Sequence, residues 1–260
     1  MPSPTPASQS LSKRRTLTTT PDLSGKSALV TGGARRIGRV IALALARSGA
    51  EVTLTWRTSA EEAADAVRAI QTLGVRAQSV HCDVRSELSV REAVAVATRF
   101  HASLDILVNN AAVFESASLD RLTLEQWDTV FETNTRGPFL VAREALPHLR
   151  LSQGRIVNIG SLGGFEAWAG HAHYCASKAA VHMLTQAMAK AFAPEVSVNC
   201  VAPGWIEMEG AGVEAARFAA RTPMGRNGSA ADVAEAVLYF AANSGFVTGQ
   251  ILTVDGGLGL

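Results

Sequence analysis

Surplus charge is the first thing the chain lacks: 24 basic and 23 acidic residues leave a formal net charge of +1 over 260 residues. That balance gives no electrostatic footprint for nucleic acid or an anionic surface, and no apolar run approaches the roughly 20 residues of a membrane-crossing helix. Neither nucleic acid nor membrane is therefore expected as a partner. Cysteine is scarce: Cys82, Cys175 and Cys200 are widely spaced and set in apolar segments. They read as reduced, packed thiols of a cytoplasmic protein, with no disulfide framework and no metal site. The N-terminal stretch lacks the apolar core of about 7 to 15 residues that a secretory signal needs, so export is not expected. Residues 1–22 are Ser/Thr/Pro-rich with one basic cluster, Lys13, Arg14 and Arg15, and read as a disordered tail. No internal repeat and no shift of composition divides the remainder.

What is present is alternation of strand and helix, in a chain whose 47% hydrophobic content can fill one α/β core. Ser27–Thr31 is a short apolar strand that stops in Gly32 and Gly33. Ile37, Val40, Ile41, Ala44 and Leu45 then recur at helical spacing, and Gly49 stands where a left-handed cap belongs. Further strands are expected at Glu51–Thr55, Val75–Cys82, Leu104–Val108, Arg155–Ile159, Val196–Val201 and Gln250–Val254. Helices are expected to open at Ser59, with Glu62 completing a capping box, at Ser86, at Thr123 with Gln126 running toward Arg150, near His173, and at Ser229. Seven strands alternating with helices predict one doubly wound Rossmann-type α/β domain over residues 23–260, a seven-stranded parallel sheet with helices on both faces.

The chemistry gathers in Arg155–Lys178, RIVNIGSLGGFEAWAGHAHYCASK, an apolar strand that passes through a glycine-rich loop into a helix. Open α/β sheets hold their ligands at such passages. Ser161 ends the strand, and Tyr174 and Lys178, four apart, share one helical face. A free phenol titrates near pH 10 and is a poor acid at neutrality. A lysine ammonium at about 4 Å, with an effective dielectric near 20, supplies roughly 4 kcal/mol, enough to bring it down some three units. Ser161 would then donate to a carbonyl oxygen as its negative charge develops. Taken alone, a Tyr and a Lys on one helix are equally an ordinary surface pair.

The loop TGGARRIG, Thr31–Gly38, lies between the first strand and its helix, where backbone N–H groups and the positive helix end face a pyrophosphate. Arg36 stands where G-x-G-x-x-G has its middle glycine, so the loop by itself is equally a glycine-rich turn. After the second strand, the acid that would bind the ribose 2′-hydroxyl of NAD is missing. The segment reads Thr55, Trp56, Arg57, Thr58, Ser59, and with Arg35 it offers guanidinium groups and hydroxyls suited to a 2′-phosphate, hence NADPH/NADP+. Asp83 is placed to accept from an adenine amine, and an Asp opening a loop is also common turn chemistry.

In this order the pieces resemble the short-chain dehydrogenase/reductase family from Leu23 to the C-terminus. TGGARRIG resembles its glycine loop, with Gly32, Arg35, Arg36, Ile37 and Gly38 at the cofactor. Cys82-Asp83-Val84 resembles its adenine contact, Asn109-Asn110-Ala111-Ala112 its strand-end motif, and Val254-Asp255-Gly256-Gly257 its last strand. Ser161, thirteen before Tyr174, completes the catalytic set with Lys178, and Asn134 matches the asparagine that anchors a proton-relay water. Pro203-Gly204 matches the motif beside the nicotinamide. The threonine that often follows is absent, and the backbone of Ile206 is expected to replace it. Arg36 and Phe114 resemble the pteridine reductase branch, whereas Ser161 stands where some pteridine reductases carry Asp.

The resemblance implies hydride transfer to a ketone, a small carbonyl or a 3-oxoacyl thioester, with Tyr174 as general acid. Lys178 would lower its pKa and hold the ribose, and a dihydropterin is the alternative substrate. A non-catalytic dinucleotide sensor is a further alternative, against which the intact Ser, Tyr and Lys set counts. The substrate is expected against Phe114, Phe165 and Trp205 beside Ser161 and Tyr174, read by the loop that holds Phe165, Glu166 and Trp168 and by the segment Trp205 to Arg221, with Glu207 and Glu209 facing solvent. A homotetramer, built on the long helices after Thr123 and His173, is also implied.

Overall fold

The computed structural model describes residues 21–208, 212–243 and 245–260, so the expected disorder of residues 1–20 falls outside the described residues. Seven strands, β1 (Ser27–Val30), β2 (Glu51–Trp56), β3 (Ala77–His81), β4 (Ile106–Asn109), β5 (Arg155–Ile159), β6 (Ser197–Pro203) and β7 (Ile251–Val254), form one sheet. Their order is β3-β2-β1-β4-β5-β6-β7 and every pairing is parallel. Eight α-helices lie among the described residues: α1 (Arg36–Arg47), α2 (Ala60–Gln71), α3 (Glu87–His101), α4 (Leu124–Phe131), α5 (Gly137–Ser152), α6 (Ala172–Phe192), α7 (Gly212–Arg221) and α8 (Ala230–Ala242).

The apolar strands are sorted by their period of two. Ala28 and Val30 of β1 pack with α1, α2 and α8, whereas Leu29 between them packs with α3, α5 and the far end of α6. Ile106 and Val108 against Leu107, and Val157 and Ile159 against Ile156, divide in the same way. A central strand buried on both faces needs apolar residues at every position, which is why β1 reads as an unbroken apolar run. The strand order reverses between β1 and β4, and the crevice of a doubly wound sheet opens there, at the carboxyl ends of the strands.

Local details depart from expectation. The single helix foreseen from Thr123 toward Arg150 is three pieces: α4, a π-helical stretch Glu132–Arg136, and α5. Its capping box does form, Thr123 Oγ1 accepting from the Gln126 N–H at 3.2 Å and the Thr123 N–H donating to Gln126 Oε1 at 3.0 Å. The wider turn sits where Asn134 is buried, a position at which such bulges often serve a site. Ser59 precedes α2 without capping it, because its ψ of 58° is not the extended backbone a capping side chain uses. Helix α7 was not foreseen. None of its residues is buried, although its apolar and charged residues do segregate to opposite faces. Among the described residues, no helix is long and apolar enough to cross a membrane, and all three cysteines are free and buried.

Phe240 of α8, 2% exposed, is buried in the core cluster that α8 shares with α1 and the sheet. Phe240→Ala should lower the unfolding free energy by about 3–5 kcal/mol, read as a lower urea midpoint with an unchanged slope. A loss below about 1 kcal/mol would show that α8 is not packed in this way.

Candidate active site

A cleft of about 620 Å³ opens at the carboxyl ends of β1, β2, β4, β5 and β6. Every residue expected to hold the cofactor lines it, from Gly32 in the first loop to Ile206 beyond β6, as do Phe114, Ser161 and Trp205. Two expected site residues do not. Phe165 points away and packs its ring against His182 at 4.4 Å, because the short helical turn Leu162–Gly164 reverses the chain before it. Asn134 lies behind the wall. Its Oδ1 accepts from the Val113 N–H at 2.8 Å, and its Nδ2 donates to Val113 O at 3.0 Å and Ser177 Oγ at 3.2 Å. These bonds pin the segment after β4 to α6.

The glycine-loop end is built by close approach of two strand ends. Thr31 Oγ1 accepts from the N–H groups of Asn110 and Ala111 at 3.0 and 3.1 Å, and Asn110 Nδ2 donates to the carbonyls of Thr31 and Gly32 at 2.9 and 3.0 Å. A Cβ on Gly38 would fall 2.5 Å from Asn110 Nδ2, so no side chain fits there. Arg36 adopts φ 52°, the left-handed conformation for which glycine is the default. It therefore keeps the backbone of the glycine it replaces, at a cost of roughly 1 kcal/mol, and adds a cation to the cleft. Arg35, Arg36 and Arg57 have no carboxylate partner among the described residues. Asp83 is less open than expected. Arg85 clasps both its oxygens, at 3.0 Å from Nε and 2.6 Å from Nη2, and these bonds hold its carboxyl below the usual range.

At the other end, Tyr174 and Lys178 share the face of α6 that looks onto β5. Lys178 is 3% exposed, and its Nζ donates to Ile159 O at 2.8 Å and stands 5.7 Å from the Tyr174 ring centroid. Burial pushes its pKa down to about 8. The expectation that Lys178 lowers the Tyr174 phenol is not met in this arrangement. Burial raises the phenol, with the Ser161 hydroxyl opposing, and the Lys178 ammonium donates to the strand carbonyl. Ser161 Oγ accepts from the Gly163 N–H at 3.1 Å.

Aromatic rings wall this end. Phe114 stacks on His171 at 4.6 Å and meets Tyr174 edge-on at 4.8 Å; Trp168 lies parallel to Tyr174 at 6.2 Å; Trp205 stacks on Phe218 of α7 at 3.9 Å. Trp168, in the loop expected to read the substrate, lines the cleft, as do Met208 and Glu214 within the expected segment Trp205 to Arg221, whereas Glu166 does not. No motif singles out Met208 or Glu214 within that segment; for Glu214, recognising α7 would have supplied the signal. Glu207 is exposed and accepts from Asn227 Nδ2 at 3.3 Å, while Glu209 lies outside the described residues.

The family described as enoyl-(acyl carrier protein) reductase matches residues 32–259. The chain is 36% identical to the 3-oxoacyl-[acyl-carrier-protein] reductase FabG of Aquifex aeolicus, over 91% of this chain and 98% of that one. Among solved structures, a dehydrogenase/reductase from Sinorhizobium meliloti 1021 is 38% identical with a TM-score of 0.88, covering 91% of this chain and 96% of its own. A short-chain dehydrogenase from Burkholderia cenocepacia J2315, in complex with NADP, is 39% identical with a TM-score of 0.87, covering 92% and 99%. The chain belongs to the short-chain dehydrogenase/reductase family. It is an oxidoreductase of that family with a single Rossmann-type domain.

Lys178 has a measurable consequence for stability. Its folded-state pKa, about 8, lies below the ordinary 10.5, so folding disfavours the charged form. The cost is complete below pH 8 and fades as pH rises toward 10.5. Lys178→Met should therefore raise the unfolding free energy at neutral pH by about 1–3 kcal/mol, the upper figure being the full shift and the lower allowing for the lost bond to Ile159. Urea melts at neutral and alkaline pH should show the gain shrinking with pH; a Met variant less stable than wild type at neutral pH would contradict it.

Proposed function

We propose that the protein is an NADPH-dependent reductase that converts a ketone to an alcohol, with Tyr174 as the general acid. The observation that carries this is the convergence of Ser161, Tyr174 and Lys178 on one cleft with three arginines at its far end that have no carboxylate partner among the described residues. The cleft suits a dinucleotide phosphate: Gly38 leaves no room for a side chain, and α1 turns its N-terminus toward the loop. The bound NADP of the Burkholderia cenocepacia relative supports the same choice. Arg35, Arg57 and Ser59 would hold the 2′-phosphate, Arg36 the pyrophosphate, and Val84, Asp83, Asn110 and Ala111 the adenosine half. Pro203, Gly204 and Ile206 would border the nicotinamide. The bridge between Ile206 and Gly228 uses the groups of Trp205 and Glu207, which leaves the Ile206 N–H for a carboxamide.

Bound there, NADPH supplies the hydride. The chain's own residues do the rest. A raised pKa keeps Tyr174 protonated at neutral pH, the form an acid needs, and Ser161 donates to the same substrate oxygen as charge builds on it. Lys178 holds the ribose, and Asn134 acts through the segment it pins. Phe114, Trp168 and Trp205 suit a neutral ketone, a small carbonyl or a 3-oxoacyl thioester. A second reading, a dihydropterin, is favoured by Phe114, whose ring stays 60% exposed opposite the catalytic pair. The neutral Ser161 places the ketone first, since proton delivery to a ring nitrogen suits a carboxyl group better. A homotetramer in the cytoplasm is part of the proposal: Phe139 of α5 and Met183 of α6 are exposed beside one another, and three buried free thiols suit a reducing compartment.

Two experiments bear on this. Calorimetric titration should find NADPH bound at least about tenfold more tightly than NADH, a difference of about 1.4 kcal/mol, and Arg57→Asp should erode or reverse it; equal affinities in the wild type would remove the 2′-phosphate site. Purified enzyme with NADPH should be offered acetoacetyl thioesters, diketones and dihydropterins, and Tyr174→Phe should lower kcat by about 10²-fold or more with NADPH affinity within a few-fold. Turnover confined to pterins and lost on Phe114→Ala would install the second reading, and no turnover at all would leave a dinucleotide-binding sensor.

A further inference from the structure

We infer that His182 is the positioning residue for Ser161, its imidazole being the peg around which the loop Gly160–Phe165 is folded. This rests on the reading that Ser161 donates to the substrate oxygen. His182 lies on α6 one turn beyond Lys178 and two beyond Tyr174, on the same face, and is 5% exposed. Its ring occupies the space that side chains at two loop positions would need. A Cβ on Gly160 would fall 2.5 Å from His182 Nε2, and one on Gly164 would fall 2.7 Å from Nδ1. Between them the Ser161 N–H donates to Nε2 at 3.5 Å, a long bond, and Phe165 closes over the ring at 4.4 Å. Four of the loop's six residues therefore meet one side chain. The steric fit carries more of this than the long hydrogen bond.

The chemistry of the ring agrees with its place. Accepting at Nε2 puts the proton on Nδ1, which has no partner among the described residues. Protonating Nε2 would remove the acceptor and set a second cation beside Lys178. Burial and the Lys178 ammonium hold the ring's pKa down to about 4. The other titratable group against this pocket, Cys200 of β6, is pushed up by burial to about 12 and stays neutral. His182 thus remains an uncharged acceptor throughout the neutral range. The two glycines make room for any ring of this bulk; what apolar filler would not call for is the Ser161 N–H directed at Nε2.

The test uses the full chain with NADPH and the best carbonyl of the panel. Ser161→Ala should lower kcat by about 10²-fold or more. His182→Leu, similar in bulk and without nitrogen, should lower kcat by about 10-fold with KM for NADPH within about threefold, since small misplacements near reacting atoms cost rate before binding. His182→Gln, which can again accept from Ser161, should recover most of the loss. The double variant Ser161→Ala with His182→Leu should be no slower than Ser161→Ala alone, because both act through one hydroxyl. Should His182→Leu fail to fold, Gly160→Ala displaces the ring while keeping it, and the same kcat-specific loss is expected. Wild-type kcat in His182→Leu or in Gly160→Ala, or losses that multiply in the double variant, overturns the inference. Unchanged turnover in Ser161→Ala overturns instead the role of Ser161 on which it stands.

Discussion

A lysine ammonium that is almost wholly buried, with one hydrogen bond to the last carbonyl of β5, is the constraint around which the active end of this protein is arranged. Burying a charge costs several kcal/mol even after relaxation, and a single neutral carbonyl does not repay it. The chain tolerates Lys178 because β5 is gripped on both sides, Arg155 to Asn158 pairing with β4 and Arg155 to Ile159 with β6 in continuous parallel register. The carbonyl is thereby held where the ammonium can reach it. One helical turn further on, the same burial keeps His182 neutral, since two cations at that spacing could not both be charged there.

Rigidity beneath the site comes from a short polar chain through the core. Asn109 Nδ2 donates to Asn158 Oδ1 at 2.9 Å, Asn158 Nδ2 donates to Thr185 Oγ1 at 2.9 Å, and Thr185 Oγ1 donates to Val181 O at 2.8 Å. These bonds join β4, β5 and α6, the elements that carry the strand-end segment, Ser161, and the Tyr174 and Lys178 pair. Buried polar groups of this kind specify one arrangement, because each unmet bond is costly in a low dielectric. Reaction geometry needs groups held by such support, and here the support runs directly under the reacting end.

Charge along the cleft is unevenly divided. Arg35, Arg36 and Arg57 gather at the glycine-loop end, and beyond Lys178 the described lining residues are neutral or, in Glu214, acidic. An anionic substrate group would find no cation there, whereas a flat or apolar body would meet Phe114, Trp168 and Trp205. Arg36 links the two ends in one respect. By accepting a left-handed backbone it retains the loop shape of a glycine while supplying a charge that glycine lacks.

Much of this was legible in the linear chain, for physical reasons. Unbroken apolar runs follow from strands buried on both faces, and caps at Thr123 and Ser229 from the unpaired N–H groups of helix starts, so the seven strands, their parallel sense and most helices could be read directly. The Tyr174 and Lys178 pair was equally plain, because residues four apart on a helix must share a face. What required the folded chain were distances between segments remote in sequence. The ammonium's engagement with Ile159, the clasp of Asp83 by Arg85, the turning away of Phe165 and the wall made by Trp168 all depend on how loops pack, which local periodicity does not encode. The role of Gly160 and Gly164 is the plainest case. In the sequence they are two glycines of a flexible loop; in the fold they are the space left for an imidazole from a helix some twenty residues on, because two atoms cannot occupy one volume.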